Sequence, residues 1–166
     1  IKDKHRLYAL HRLGITLHVY ADTWAHQGFA GVTHKINDIS HLEDKDTQGK
    51  TIVSKLKSFF GDLFDVELSK LVGDTLPLGH GAALSFPDKP FLNWSYQDHT
   101  GKTINRDNPK DYIEACEELC KAMQRFRIGD PDADVQGLPI NDRNKIEGLF
   151  KTIQDDKGED RHNKWL

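Results

Sequence analysis

The sequence predicts a mainly α-helical single domain with long loops and one small β-hairpin. Apolar residues recur at helical spacing in several stretches. Strand-like alternation is confined to residues 93–107. Clusters of Gly, Pro and polar residues separate the periodic stretches. A chain of 166 residues suits one domain with a sizeable core. One helical domain over residues 1–166 is therefore expected, with 155–166 as a charged tail; it could be a piece of a longer protein.

The first helix is expected over about residues 3–27, with Asp3 near its start and Gly28 and Gly31 marking its end. Leu10, Leu13, Leu17, Tyr20, Ala21 and Trp24 form an apolar stripe, flanked by Gly14, Ile15, Val19 and Ala25. A helix apolar on most sides is expected in the core. Residues 28–49 are polar and turn-rich and read as a long loop carrying His34, Asp38 and His41. A second amphipathic helix fits residues 50–72, ended by Gly73. Residues 73–92 hold too many Gly and Pro for regular helix; they carry His80 between Gly79 and Gly81, and Asp88 after Pro87.

Trp94 and Tyr96 alternate with polar residues, and His99-Thr100-Gly101 turns the chain back toward Thr103 and Ile104. Asn108-Pro109 opens a helix to about Ile128, with Pro109 near its first turn. After a loop over 129–138, a last helix runs from about Pro139 to Ile153. No repeat, coiled coil or low-complexity segment is present.

A net charge of −3 and a pI near 6.3 argue against nucleic-acid binding by bulk charge. No window approaches the ~18 apolar residues of a membrane span. No signal peptide is visible, but the chain opens at Ile1 rather than Met, so that observation carries little. Cys116 and Cys120 lie four apart on a predicted helix, poor geometry for a disulfide. Free thiols favour a reducing compartment such as the cytoplasm, without excluding secretion.

The chemistry concentrates on the first helix. At about 100° per residue, His18, Asp22 and His26 fall near −20°, +20° and +60° relative to His11. Imidazole and carboxylate are ligand types that zinc and similar divalent ions prefer. His18, Asp22 and His26 are the expected metal ligands, with His11 and His80 as further ligands or as acid and base. The pair His34 and Asp38 repeats the His-x-x-x-Asp spacing and could place a second ion. Asp88, in a stiff Pro-flanked loop, supports the site or caps its own loop. His80 between two glycines can approach another element closely. The alternative is a buried hydrogen-bond network in which Asp22 accepts from the histidines. No G-x-S-x-G, P-loop, G-x-G-x-x-G or H-E-x-x-H motif occurs.

The stretch LHVYADTWAHQGFAG, with LGHGAALSFPDKPFLNWSY downstream, resembles an uncharacterised bacterial domain family. Its hallmark is LH-x-x-x-D-(T/S)-x-AHQGF, then a GHG loop and a PD-x-P segment; the likeness covers most of residues 10–110. That resemblance implies no activity. More distantly, the H-x-x-x-D helix is similar to that of zinc-dependent phospholipase C and the single-strand-specific zinc nucleases. This likeness implies an all-helical core, with His18 and Asp22 as zinc ligands for phosphodiester cleavage. Here the next histidine follows the aspartate sooner, no H-x-x-x-E pair exists, and the N-terminal tryptophan ligand is missing. One or two ions, not three, fit this chain.

The function expected is metal-dependent hydrolysis of phosphoester bonds, in a small-molecule, lipid or nucleotide substrate, with zinc the favoured ion. A non-enzymatic interaction domain, in which the His/Asp stripe is a structural network, is the alternative. A structural metal tying the first helix to the GHG loop is a third reading. Substrate and oligomeric state are open.

Overall fold

The computed structural model describes residues 1–45, 79–155 and 158–166. The helix expected over 50–72, and residues 73–78 of the following loop, lie outside the described residues. Among those described, 50% are helical and 11% are strand, arranged as four helices and a three-stranded antiparallel sheet. The mainly α expectation with a single hairpin is therefore corrected to a mixed α and β fold. The chain forms two compact units: residues 1–25 with 109–166, and residues 26–108.

The first unit is helical. α1 spans Ala9–Ala25, shorter at its start than expected because residues 1–8 close as turns. Leu13, Leu17, Ala21 and Trp24 are half-buried along the predicted apolar stripe. Leu10, Ile15 and Val19 are exposed, and Ala9 is the one buried residue of the helix. The core helix expected from composition is corrected accordingly. Apolar content sets a helix's affinity for cover, not whether its other faces receive any.

α2 (Asn108–Ile128) begins at the Asn-Pro step, and the N–H that Pro109 lacks would have no intrahelical acceptor in the first turn. α3 (Ile140–Thr152) follows Pro139, and the predicted charged tail forms α4 (Gly158–Trp165). Phe150 joins these helices, meeting Tyr112 and Trp165 at ring-centroid distances of 5.6 Å each. The 129–138 loop is tied back by Gln124 Nε2 donating to the Gly137 carbonyl (3.0 Å) and the Leu138 amide donating to Glu117 (3.1 Å). Cys116 and Cys120 are free, and burial pushes the Cys116 thiol up, away from reactivity.

The second unit contains the sheet, in the order β1 (Ser40–Asp44), β2 (Asn93–Gln97), β3 (Thr103–Asp107). The β2–β3 hairpin has the predicted span, in register from Asn93 opposite Asp107 to Gln97 opposite Thr103. Asp98 shapes the turn, accepting from the Thr100 amide and hydroxyl and the Lys102 amide. β1 is the strand the sequence hides inside the predicted 28–49 loop. Its residues SHLED hold one apolar side chain, because an edge strand is held through its backbone. A register shift between Ser40 and Glu43 and a positive φ of 52° at His41 mark a bulge that further breaks the pattern. The core is Ile39, Ala83, Phe86, Leu92, Trp94 and Tyr96. Burying each large side chain there contributes about 1.5–3 kcal/mol. Arg106 lies over the Trp94 ring at 5.5 Å.

Candidate metal centre

Three short segments of the sheet unit build the site. α1 ends at Ala25, and the Phe29 amide then donates to the His26 carbonyl at 3.1 Å. Gly28 sits third in that turn with φ +90°, the left-handed position a type II turn reserves for glycine.

The GHG loop supplies His80. Gly79, at φ +56°, donates its amide to the Ala30 carbonyl at 3.0 Å. Buried Asn37 holds that carbonyl from the other side (3.0 Å) and accepts from the Ala30 amide (2.7 Å). The segment after His26 and the segment before His80 are thus pinned to one point. Downstream, Ala83 to Phe86 closes a turn through the Phe86 amide (3.2 Å), with Leu84 at φ 55° and ψ −134°. That conformation belongs to the first central residue of a type II′ turn, normally glycine. It aims the Leu84 carbonyl at His80 Nδ1, 3.0 Å away. A carbonyl only accepts, so Nδ1 carries a proton, and in the neutral imidazole Nε2 then presents the lone pair.

Asp88 follows in a loop clamped by Asn108. The Asn108 side chain is fully buried; its Nδ2 donates to the carbonyls of Phe86 (2.7 Å) and Lys89 (2.8 Å). Its Oδ1 accepts from Trp94 Nε1 at 2.9 Å. The two clamped carbonyls bracket Pro87-Asp88.

The result is a cluster. His26 Nε2 lies 3.3 Å from Asp88 Oδ1, and His80 Nε2 lies 3.9 Å from Asp88 Oδ2. The imidazoles stack at 4.1 Å between centroids. One ligand atom from each residue lies within 4.8 Å of the others, and no other group of three such residues does so among the described residues. Bonds of about 2.0–2.1 Å arranged tetrahedrally separate neighbouring ligands by about 3.3–3.4 Å. The His26–Asp88 spacing already fits that edge. All three side chains keep contact with solvent, with 32%, 25% and 50% of their surfaces exposed.

The other predicted residues lie elsewhere. His18 and Asp22 form an exposed pair 3.6 Å apart on α1, 77% and 44% accessible. His11 is exposed on the same helix, with no His, Cys or carboxylate cluster about it among the described residues. His34 caps the 3-10 turn Lys35–Asn37, its Nδ1 accepting from the Ile36 amide at 3.1 Å; Asp38 ends that turn. His41 Nδ1 lies 3.1 Å from Ser40 Oγ. The residues missed in the sequence are those that aim the ligands: Leu84, Asn37 and Asn108. The Asn-Pro step at 108 was visible only as a helix start.

The site belongs to a protein of mixed fold carrying a His-His-Asp cluster of metal-ligating type. A family model described as "Family of unknown function (DUF6765)" matches residues 1–166, and the chain belongs to that family. Neither a curated protein nor a solved structure matches the chain. The expected likeness to zinc phospholipase C and its helical core therefore gains no support, and the sheet unit argues against an all-helical architecture.

Proposed function

We propose that His26, His80 and Asp88 hold one divalent metal ion, and that the protein uses it to hydrolyse phosphoester bonds. The observation that carries the metal reading is the Leu84 carbonyl on His80 Nδ1. Metal-binding histidines characteristically donate their other ring N–H to such a partner, which fixes the tautomer and orients the ring. Two imidazoles and one carboxylate form a donor set of catalytic zinc sites. Three protein ligands on a solvent-facing cluster leave a position for water or substrate, whereas a structural site fills its shell. When bound, the ion supplies Lewis acidity for activating water and steadying charge on a phosphoryl group. His26, His80 and Asp88 are ligands in this account. Among the described residues the exposed His18–Asp22 pair shows no such partner, and it serves no role in this account.

The test is zinc titration by calorimetry on metal-stripped protein, then assays with bis-(p-nitrophenyl) phosphate and p-nitrophenyl phosphate. One zinc per chain and zinc-dependent turnover of either ester support the proposal. Zinc binding without turnover of any phosphoester removes the hydrolase and leaves a metal site. No zinc binding, with a thermal midpoint indifferent to chelator, makes the cluster a hydrogen-bonded network and favours an interaction domain.

A further inference from the structure

The turn that presents His26 also forms the wall of a cleft. A cavity of about 320 Å³ is lined by Gln27, Gly28, Tyr96, Asp98, His99, Asn105 and Arg106, with Ile36 and Ile104 as apolar sides. Gln27 and Gly28 directly follow His26. Arg106 Nη1 donates to the Gln27 carbonyl at 3.1 Å, which fixes the buried guanidinium beside that turn.

Tyr96 is the unexplained residue. Its ring is buried in the sheet core, while among the described residues its hydroxyl has no protein partner and opens into the cleft. A hydroxyl so placed is free to donate to a group that enters the cleft. Gly28 stands next to that hydroxyl: a Cβ there would come within 3.0 Å of it, so glycine keeps the space clear. Burial raises the phenol's pKa against the pull of Arg106, so the hydroxyl stays protonated and can donate. Asn105 offers a second donor. Its Oδ1 accepts from the Lys45 ammonium, which leaves its amide N–H₂ as the donor end of the side chain. Asp98 Oδ1 takes three hydrogen bonds from its own turn.

We propose that this cleft binds an oxyanion, a phosphoryl group in the first instance, with Tyr96 and Asn105 as hydrogen-bond donors and Arg106 as the fixed charge. Its role as a substrate subsite rests on the metal-dependent hydrolase proposed above. The cleft would hold a phosphoryl oxygen or a second anionic group one residue from a metal ligand, with Ile36 and Ile104 against the apolar part of the ester.

The experiment is calorimetric titration of inorganic phosphate and phenyl phosphate into zinc-loaded and metal-stripped protein, for wild type, Tyr96→Phe and Gln27→Glu. Tyr96→Phe deletes only the hydroxyl; Gln27→Glu adds a carboxylate at an exposed position of the wall, so it keeps the test open if the first variant folds poorly. We expect each variant to weaken phosphate binding about tenfold, with zinc affinity unchanged. Phosphate bound as tightly by both variants as by wild type, or by none of the three, overturns the subsite. If zinc binds while phosphate ignores both variants, the subsite fails and the metal centre stands. If zinc does not bind but phosphate still depends on Tyr96, the oxyanion site stands and the hydrolase falls.

Discussion

Two His–Asp pairs can be compared within this chain. On α1, His18 and Asp22 face each other across one helical turn at 3.6 Å, both largely in water. In the sheet unit, His26 and Asp88 are 62 residues apart in sequence yet meet at 3.3 Å, with His80 stacked against them. The first pair follows from helical spacing alone and recurs wherever these residue types fall four apart. The second requires a type II turn, a strained II′ turn and a buried asparagine clamp to hold it. Ligand types at the right spacing are common; side chains aimed from several elements by their own hydrogen bonds are what a binding site needs.

Breaking each pair should separate them sharply. His80→Ala is expected to weaken zinc binding by more than about 100-fold, because loss of a ligand exceeds the 10–100-fold effect of an orienting partner. His18→Ala should change it less than about twofold; competition with a chromophoric chelator reads both. Asn108→Ala sharpens the comparison, since it touches no ligand. It leaves Trp94 Nε1 and two carbonyls without a partner, so urea unfolding should show a loss of about 2–4 kcal/mol, and zinc affinity should fall about 10–100-fold. The corresponding change at Asp22 should leave both quantities unmoved.

How much of this was legible? The β2–β3 hairpin, the Pro109 start of α2 and the last helix followed from alternation, Asn-Pro and apolar spacing. His26, His80 and Asp88 each stand out in the sequence, but helical spacing continued to residue 27 groups His26 with His11, His18 and Asp22. The helix ends at Ala25, and His26 opens the turn that follows it. β1 was unreadable since its pairing runs through backbone groups. Asn37 and Asn108 gave no sign of their roles, as a side chain that clamps distant carbonyls shows no local periodicity.

Smaller effects test the supports. Saturating zinc at about 100 times its Kd should stabilise the folded protein by about 2.7 kcal/mol, seen as a raised thermal midpoint that chelator reverses in wild type and not in His80→Ala. Smallest is the hairpin turn. Hydrogen bonds, that from the Thr100 hydroxyl first, hold the Asp98 carboxyl below its ordinary 3.8. Its stabilisation is therefore fully present above that value and is lost as pH falls through the lower folded value. Asp98→Asn should lower the midpoint slightly at neutral pH and not at strongly acid pH, while the zinc site is unaffected.

The most direct measurement is the zinc content of chelator-free protein, by mass spectrometry, for wild type, Asp88→Ala and Asp22→Ala. About one zinc per chain in wild type and Asp22→Ala, and none in Asp88→Ala, is the expected result. Zinc absent from wild type, or lost with Asp22 and kept without Asp88, would contradict a metal centre at His26, His80 and Asp88.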